Sequence, residues 1–266
     1  MFHGLENQFL YAAYKITSVF TGGAGPDVSA TGTGFFLQNR HRHVCLVTNR
    51  HMVDLHYPSS DPKHPGYKLQ QLIVRGRRSG DKPGLPTEFT EFAVHPTANF
   101  LYSSVFQNDI TCLLNPPIQA INQSSTVVDF FIPHAMVATK QDFENKLSVC
   151  DFVAFPGYPP WYDRLNERPI LRTGALSSDP RSDYSFSGQY DGECVDYEAF
   201  SFGGSSGSPV FAVQKGPKPG PGISFPGFRE LLFIGINAGH LRTNTDHHSG
   251  ISFFYKSSAL LEIIDK

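Results

Sequence analysis

The sequence predicts an antiparallel all-β protein carrying one C-terminal α-helix. Three observations predict it. Short runs rich in β-branched and aromatic residues recur along the chain, separated by turn residues and without a helical period between them. Glycine and proline are abundant, at 24 and 20 of 266 residues, which suits many short strands and many turns. Near residue 260 the pattern changes: SSALLEIIDK (257–266) places Leu260, Leu261 and Ile264 on one helical face, with Ser257 or Ser258 available as a cap.

Residues 1–14 read as a short amphipathic helix or an irregular lead-in. The strand series then begins with KITSVF (15–20), followed by a Gly-rich turn, GGAGP (22–26). TGTGFFL (31–37) reads as a turn plus a strand, and HVCLVTNRH (43–51) as a buried strand running into a loop. LQQLIVRGR (69–77), FTEFAVHP (89–96) and NDITCLLN (108–115) continue the series up to a connector around 116–133. A second series follows: SVCDFVAFPGYP (148–159), ILRTGALSS (170–178), VDYEAFSF (195–202), SPVFAVQ (208–214), LLFIGINAGH (231–240) and GISFFY (250–255). Two segments are expected as exposed loops. KGPKPGPGISFPGF (215–228) cannot be a central strand, because proline donates no ladder hydrogen bond, and GYPPWYDRLNERP (157–169) is long and Pro-interrupted.

Composition narrows the function classes. The chain is 40% hydrophobic and 17% charged, with a net charge of −2, so neither nucleic acid nor an anionic membrane is expected as a partner. The N-terminal stretch has no basic region followed by an apolar core, and no run approaches the roughly 18 apolar residues that span a bilayer, so a cytoplasmic location is expected. Cys45, Cys112, Cys150 and Cys194 form no CxxC pair and are expected as free thiols. His41, His43 and Cys45 alternate on one strand face, and Asp246 precedes His247 and His248, but neither spacing matches a metal motif. No metal or organic cofactor is expected.

Three segments carry chemistry together. In GGSSGSPV (203–210), glycines flank Ser206 in a tight turn. Such a turn exposes a hydroxyl and aims backbone N–H groups at the oxyanion of a tetrahedral intermediate. In VTNRHMVD (47–54), His51 follows a buried strand, where it can act as a general base. In NDITCLL (108–114), Asp109 opens a buried strand, the position of a carboxylate that orients an imidazole. Each is weak alone, but their order, His–Asp–Ser, is the order of β-barrel serine peptidases.

On TGTGFFL, VTNRHMV, NDITCLL, GGSSGSPV, FIGINAGH (233–240), and GYP (157–159) followed by RTGALSS (172–178), the chain resembles the trypsin-like (chymotrypsin-fold) serine peptidases. The resemblance spans residues 15 to 264 and is nearest to the bacterial branch of glutamyl endopeptidases and HtrA-like proteases. Met52 stands where secreted animal members carry a half-cystine. The resemblance implies two antiparallel six-stranded β-barrels. The first (1–125) would supply His51 and Asp109, and the second (126–266) Ser206 and the terminal helix. It implies an oxyanion hole from the amides of Gly204 and Ser206, and a substrate pocket framed by Ser201, Asn237, Ala238, Gly239 and His240. No acid stands where a Lys/Arg-specific pocket needs one, so a small, polar or acidic side chain is expected there. The expected substrate is a protein or peptide, with an activating protein partner as a means of restraint. A catalytically inactive barrel serving as a peptide-binding or scaffold module is the alternative.

Overall fold

The structure is a computed structural model that describes residues 6–22, 25–58, 65–79, 85–95, 97–122, 124–222, 225 and 227–265. Parts of the expected lead-in (1–14), of the turn at 22–26 and of the loop at 215–228 lie outside these residues. A short helix, α1 (Asn7–Leu10), precedes β1 (Ala13–Thr21). β1 alternates buried and half-buried residues, as a strand with one face on a core should. β2 (Val28–Gln38) runs straight through TGTG, which was expected as a turn: Thr31 to Gly34 pair with Thr17 to Tyr14 of β1. β2 is buried from Gly32 to Leu37, and β3 (Val44–Thr48) joins its other edge over Phe35–Gln38.

The first half continues with β4 (Lys68–Arg78), β5 (Glu88–Val94), β6 (Leu101–Tyr102), β7 (Thr111–Leu114) and β8 (Ile118–Ala120). These eight strands form one antiparallel sheet in the order β6-β7-β3-β2-β1-β4-β5-β8. The expected closed six-stranded barrel is therefore not what the described residues form here. β7 pairs with β3 near one margin and β8 with β5 at the other, yet only Asn115, Pro116 and Pro117 separate β7 from β8. The sheet curls until its margins nearly meet. It is interrupted where two prolines withhold their N–H groups and Asn115 takes a positive φ of 45°.

The second half begins with a 3-10 turn (His134–Met136) and α2 (Lys140–Asn145), which is closed at its start by a Thr139–Asp142 capping box. β9 (Phe152–Gly157), β10 (Ile170–Leu176), β11 (Cys194–Glu198), β12 (Pro209–Ala212), β13 (Leu232–Arg242) and β14 (His248–Lys256) form a closed six-stranded barrel. α3 (Ser257–Ile264) ends the chain's regular structure. Its buried face is Ala259, Leu260, Ile263 and Ile264; Leu261 is only partly buried, and Ser257 donates to the Ala138 carbonyl instead of capping the helix.

Each half has an inner core, and a third core joins them. That shared core brings Phe35, Val47 and Cys112 of the first sheet against Phe211, Phe233 and Ile236 of the barrel, with α3 contributing Leu260 and Ile263. α3 also reaches back to the first half: Asn39 Nδ2 donates to the Ile264 carbonyl at 3.0 Å, and the Arg40 amide to Asp265 Oδ1 at 3.2 Å. The four cysteines are free thiols, and only Cys150 is exposed. Among the described residues no helix is long and apolar enough to cross a membrane.

Candidate active site

His51 lies in a 3-10 turn (Arg50–Met52) immediately after β3. The turn forms because Met52 is apolar and must be buried, which swings the chain inward and leaves His51 at the rim. The buried Asn49 fastens this turn to the next segment, its Nδ2 donating to the Asp109 carbonyl at 2.7 Å. Asp109 then uses both carboxylate oxygens on one residue. Oδ1 accepts from the His51 backbone amide at 2.9 Å, and Oδ2 lies 2.5 Å from His51 Nδ1. A carboxylate on Nδ1 keeps the proton there, so in the neutral ring Nε2 holds the free lone pair. Burial lowers the imidazole pKa, but the charge and hydrogen bond of Asp109 outweigh it and hold the value above the ordinary 6.5.

Ser206 lies in the turn between β11 and β12. Of the serines in SSGS, Ser205 and Ser208 are buried, at 1% and 0% exposure, and only Ser206 is accessible. The turn is built on backbone bonds: the Ser205 amide donates to the Phe202 carbonyl at 2.9 Å, and the Gly207 amide to the Asn237 carbonyl at 2.9 Å. Gly204 and Gly207 have φ of 86° and 84°, where an added Cβ would meet the carbonyl oxygens of Tyr158 and Thr33. Among the described residues the amides of Gly204 and Ser206 have no backbone acceptor, in contrast with those of Ser205, Gly207 and Ser208. Two unpaired donors at one turn, beside an accessible hydroxyl, are what an oxyanion requires.

The first half holds this turn in place. The Thr33 amide donates to the Ser206 carbonyl at 2.8 Å, and Thr33 Oγ1 donates to the Gly204 carbonyl at 2.7 Å while accepting from the Tyr158 amide at 3.1 Å. Ser206 Oγ lies 3.5 Å from the Ala238 carbonyl, and Ala238 lines the same cleft as His51 and Asp109. The His51–Asp109 pair is thus formed, whereas no hydrogen bond joins His51 to Ser206 among the described residues.

The expected pocket residues fall into two groups. Ala238 and Gly239 are half-buried along β13, where the β12 ladder has already ended at Ile236. Asn237 corrects the expectation. It is 1% exposed, its Nδ2 donates to the Ser205 carbonyl at 2.8 Å, and its Oδ1 accepts from Tyr197 Oη at 2.6 Å. With both ends of its amide engaged inside the barrel, it braces the serine turn. Ser201 is likewise buried and bonds to the Gly239 carbonyl at 3.1 Å and to Ser252 Oγ at 3.0 Å. His240 stacks on His248 with ring centroids 4.1 Å apart. Burial lowers the pKa of both rings; Arg242 lowers His240 further, and the stacked His240, with a smaller share from Arg172, lowers His248 further. Thr33, Asn49 and Tyr158 were not singled out from sequence. The only signal for Thr33 is the TGTG run, where glycines on each side admit close backbone approach.

No protein-family model matches the chain, and no curated protein does. Solved structures do match. The thermostable serine protease AL20 from an extremophilic microorganism superposes with a TM-score of 0.55 at 12% identity, over 97% of each chain. The protease Anisep from Arthrobacter nicotinovorans gives 0.53 at 14% identity, covering 92% of this chain and 90% of its own. The HtrA-type protease AlgW, solved with a decapeptide, gives 0.55 at 14% identity, over 97% of this chain and 65% of its own. The fold is that of trypsin-like serine proteases. The correspondence runs through the open first sheet as well as the closed barrel.

Proposed function

We propose that this protein is a serine endopeptidase in which Ser206 is the nucleophile, His51 the general base and Asp109 the residue that orients it. The observation that carries the reading is the Asp109 carboxylate held against His51 Nδ1 at 2.5 Å, in the same cleft as Ala238, whose carbonyl touches Ser206 Oγ. In the reaction Ser206 Oγ attacks a peptide carbonyl while His51 Nε2 takes the hydroxyl proton. The Gly204 and Ser206 amides receive the developing oxyanion. His51 then protonates the leaving amine, and water, deprotonated by His51, releases the acyl group from Ser206. Asp109 stays ionised and stabilises the imidazolium. The acyl side of the substrate runs along Ala238–His240, the part of β13 left unpaired by β12.

A second reading is a peptidase held latent until a partner or substrate turns Ser206 toward His51. It is favoured by the lean of Ser206 Oγ to the Ala238 carbonyl. Reaction with a serine-directed fluorophosphonate separates these readings. Labelling of the purified wild type and not of Ser206→Ala supports the constitutive enzyme. Labelling that appears only after a partner protein is added supports latency. No labelling under any condition removes the peptidase reading and leaves a peptide-binding barrel.

A further inference from the structure

The cleft carries opposite charge on the two sides of Ser206, and we propose that its leaving-group side selects a carboxylate side chain one to three residues beyond the scissile bond. This inference rests on the peptidase reading for the direction of the substrate. With the acyl side along Ala238–His240 and the carbonyl oxygen on the Gly204 and Ser206 amides, the chain beyond the cut leaves over Gly204 toward β2. A cavity of about 490 Å³ opens there, lined by Lys15, Thr31, Tyr158, Tyr162, Arg164 and Gly204.

Two cations converge on it from different halves, Lys15 from β1 and Arg164 from the segment after β9. Lys15 Nζ donates to Tyr162 Oη at 2.9 Å, and Arg164 donates to the Pro160 carbonyl through Nε at 3.0 Å and Nη2 at 2.6 Å. An ammonium has three donors and a guanidinium five, so both keep N–H groups for a ligand. Neither has a carboxylate within salt-bridge distance among the described residues. The nearby acids are engaged elsewhere: Glu167 pairs with Arg75 at 2.6 Å, and Asp163 lies 4.0 Å from Arg168 and accepts from Asn166. Among the described residues, neither Lys15 nor Arg164 is therefore neutralised by a direct ion pair. The acyl-side cleft is the reverse. Its lining includes Phe186, Phe253 and Asp191 and, among the described residues, no lysine or arginine. An extended substrate advances about 3.3 Å per residue, so the first few side chains past the cut meet Lys15 and Arg164.

The experiment has two arms. In the first, wild type and a Lys15→Glu/Arg164→Glu double variant digest a proteome-derived peptide library, and new N-termini are read by mass spectrometry. The expected result is about a tenfold excess of Asp and Glu over Lys and Arg at the first three positions after the cut, reversed in the double variant. In the second, the full chain with Ser206→Ala is titrated with the amidated peptides Ala-Glu-Glu-Ala, Ala-Gln-Gln-Ala and Ala-Lys-Lys-Ala, and with Ala-Gln-Gln-Ala bearing a free C-terminal carboxylate. The acidic peptide is expected to bind tightest, with the order reversed when the Lys15→Glu and Arg164→Glu changes are added. Cleavage without charge bias, equal affinities, or discrimination only by the free C-terminus overturns the inference and leaves the peptidase reading standing. Charge-selective binding without any Ser206-dependent cleavage removes the peptidase reading and keeps the cavity's selectivity.

Discussion

The two halves of the molecule hold their shares of the site by different means. In the first half, an open sheet presents His51 on a one-turn 3-10 element, and side chains fix it: Asn49 grips the Asp109 backbone, and Asp109 grips His51 twice. In the second, a closed barrel presents Ser206 on a turn fixed through its carbonyls, by backbone amides and by the Thr33 and Asn237 side chains, and by Gly204 and Gly207, where an added Cβ would collide. The difference follows from what each group must do. A base must be oriented and charged in turn, which calls for a carboxylate beside it. A nucleophile must offer bare amides, so the side chains that brace its turn bind carbonyls and leave the Gly204 and Ser206 N–H groups open.

Mutations can break each half separately. The largest effect is expected from Asp109→Asn, which keeps the shape of the side chain and removes its charge. Turnover of a peptide substrate should fall by ~10⁴. The same change tests the cause of the imidazole shift. With the carboxylate gone, only burial acts, so an NMR titration should show His51 moving from above 6.5 to below it. In the wild type, activity should rise with pH through a value above 6.5, because the base works as neutral imidazole. The stability that His51 gains from Asp109 has the opposite course: it is full below the unfolded value and is lost as pH rises through the folded one. A wild-type rate already at its plateau at pH 6 would contradict this.

Next in size is Gly204→Ala. Its Cβ would press on the Tyr158 carbonyl at a φ suited to glycine, displacing one oxyanion donor. Turnover should drop by ~10²–10³ with substrate affinity little changed. A loss in KM alone would show that this amide does not face the transition state. Thr33→Val tests the seam between the halves. It removes the hydroxyl that joins the Gly204 carbonyl to the Tyr158 amide, and should cost ~1–3 kcal/mol in chemical unfolding and about tenfold in turnover.

The smallest effect is expected within the barrel wall. Asp196 on β11 is buried with Oδ1 unpartnered, and burial pushes its carboxyl up to about 7. Ionising it in the folded state therefore costs stability as pH climbs from the unfolded carboxylate range to about 7. Asp196→Asn should raise Tm by ~2–4 °C at pH 8 and by less at pH 5. An equal gain at both values would mean that the carboxyl titrates normally.

Much of this was legible in the residues. Period-two apolar runs located most of the strands, and the motifs named His51, Asp109 and Ser206, of which the first two meet in the structure. What escaped was where side chains point and where strands break. Asn237 looks like a pocket residue because it is polar and beside Ala238, yet neighbours on a strand face opposite ways, and Asn237 faces inward. β8 hides in the expected connector because Pro116 and Pro117 precede its three residues. α2 was missed because six residues are too few to show a helical period, although Thr139 and Asp142 spell its capping box. Beyond its place in the TGTG run, nothing marked Thr33, since its partners, Gly204 and Tyr158, lie far along the chain.

The attachment of α3 also bears on how the protein is made. The helix follows the barrel in sequence but fills the core shared with the first sheet, and Asn39 and Arg40 bond to its final residues. During synthesis the strands that carry His51 and Asp109 emerge early and wait for a plug encoded more than two hundred residues downstream of β3. The helix thus fastens the two halves of the proposed site together only after translation has passed residue 265, and a nascent chain lacks that clamp.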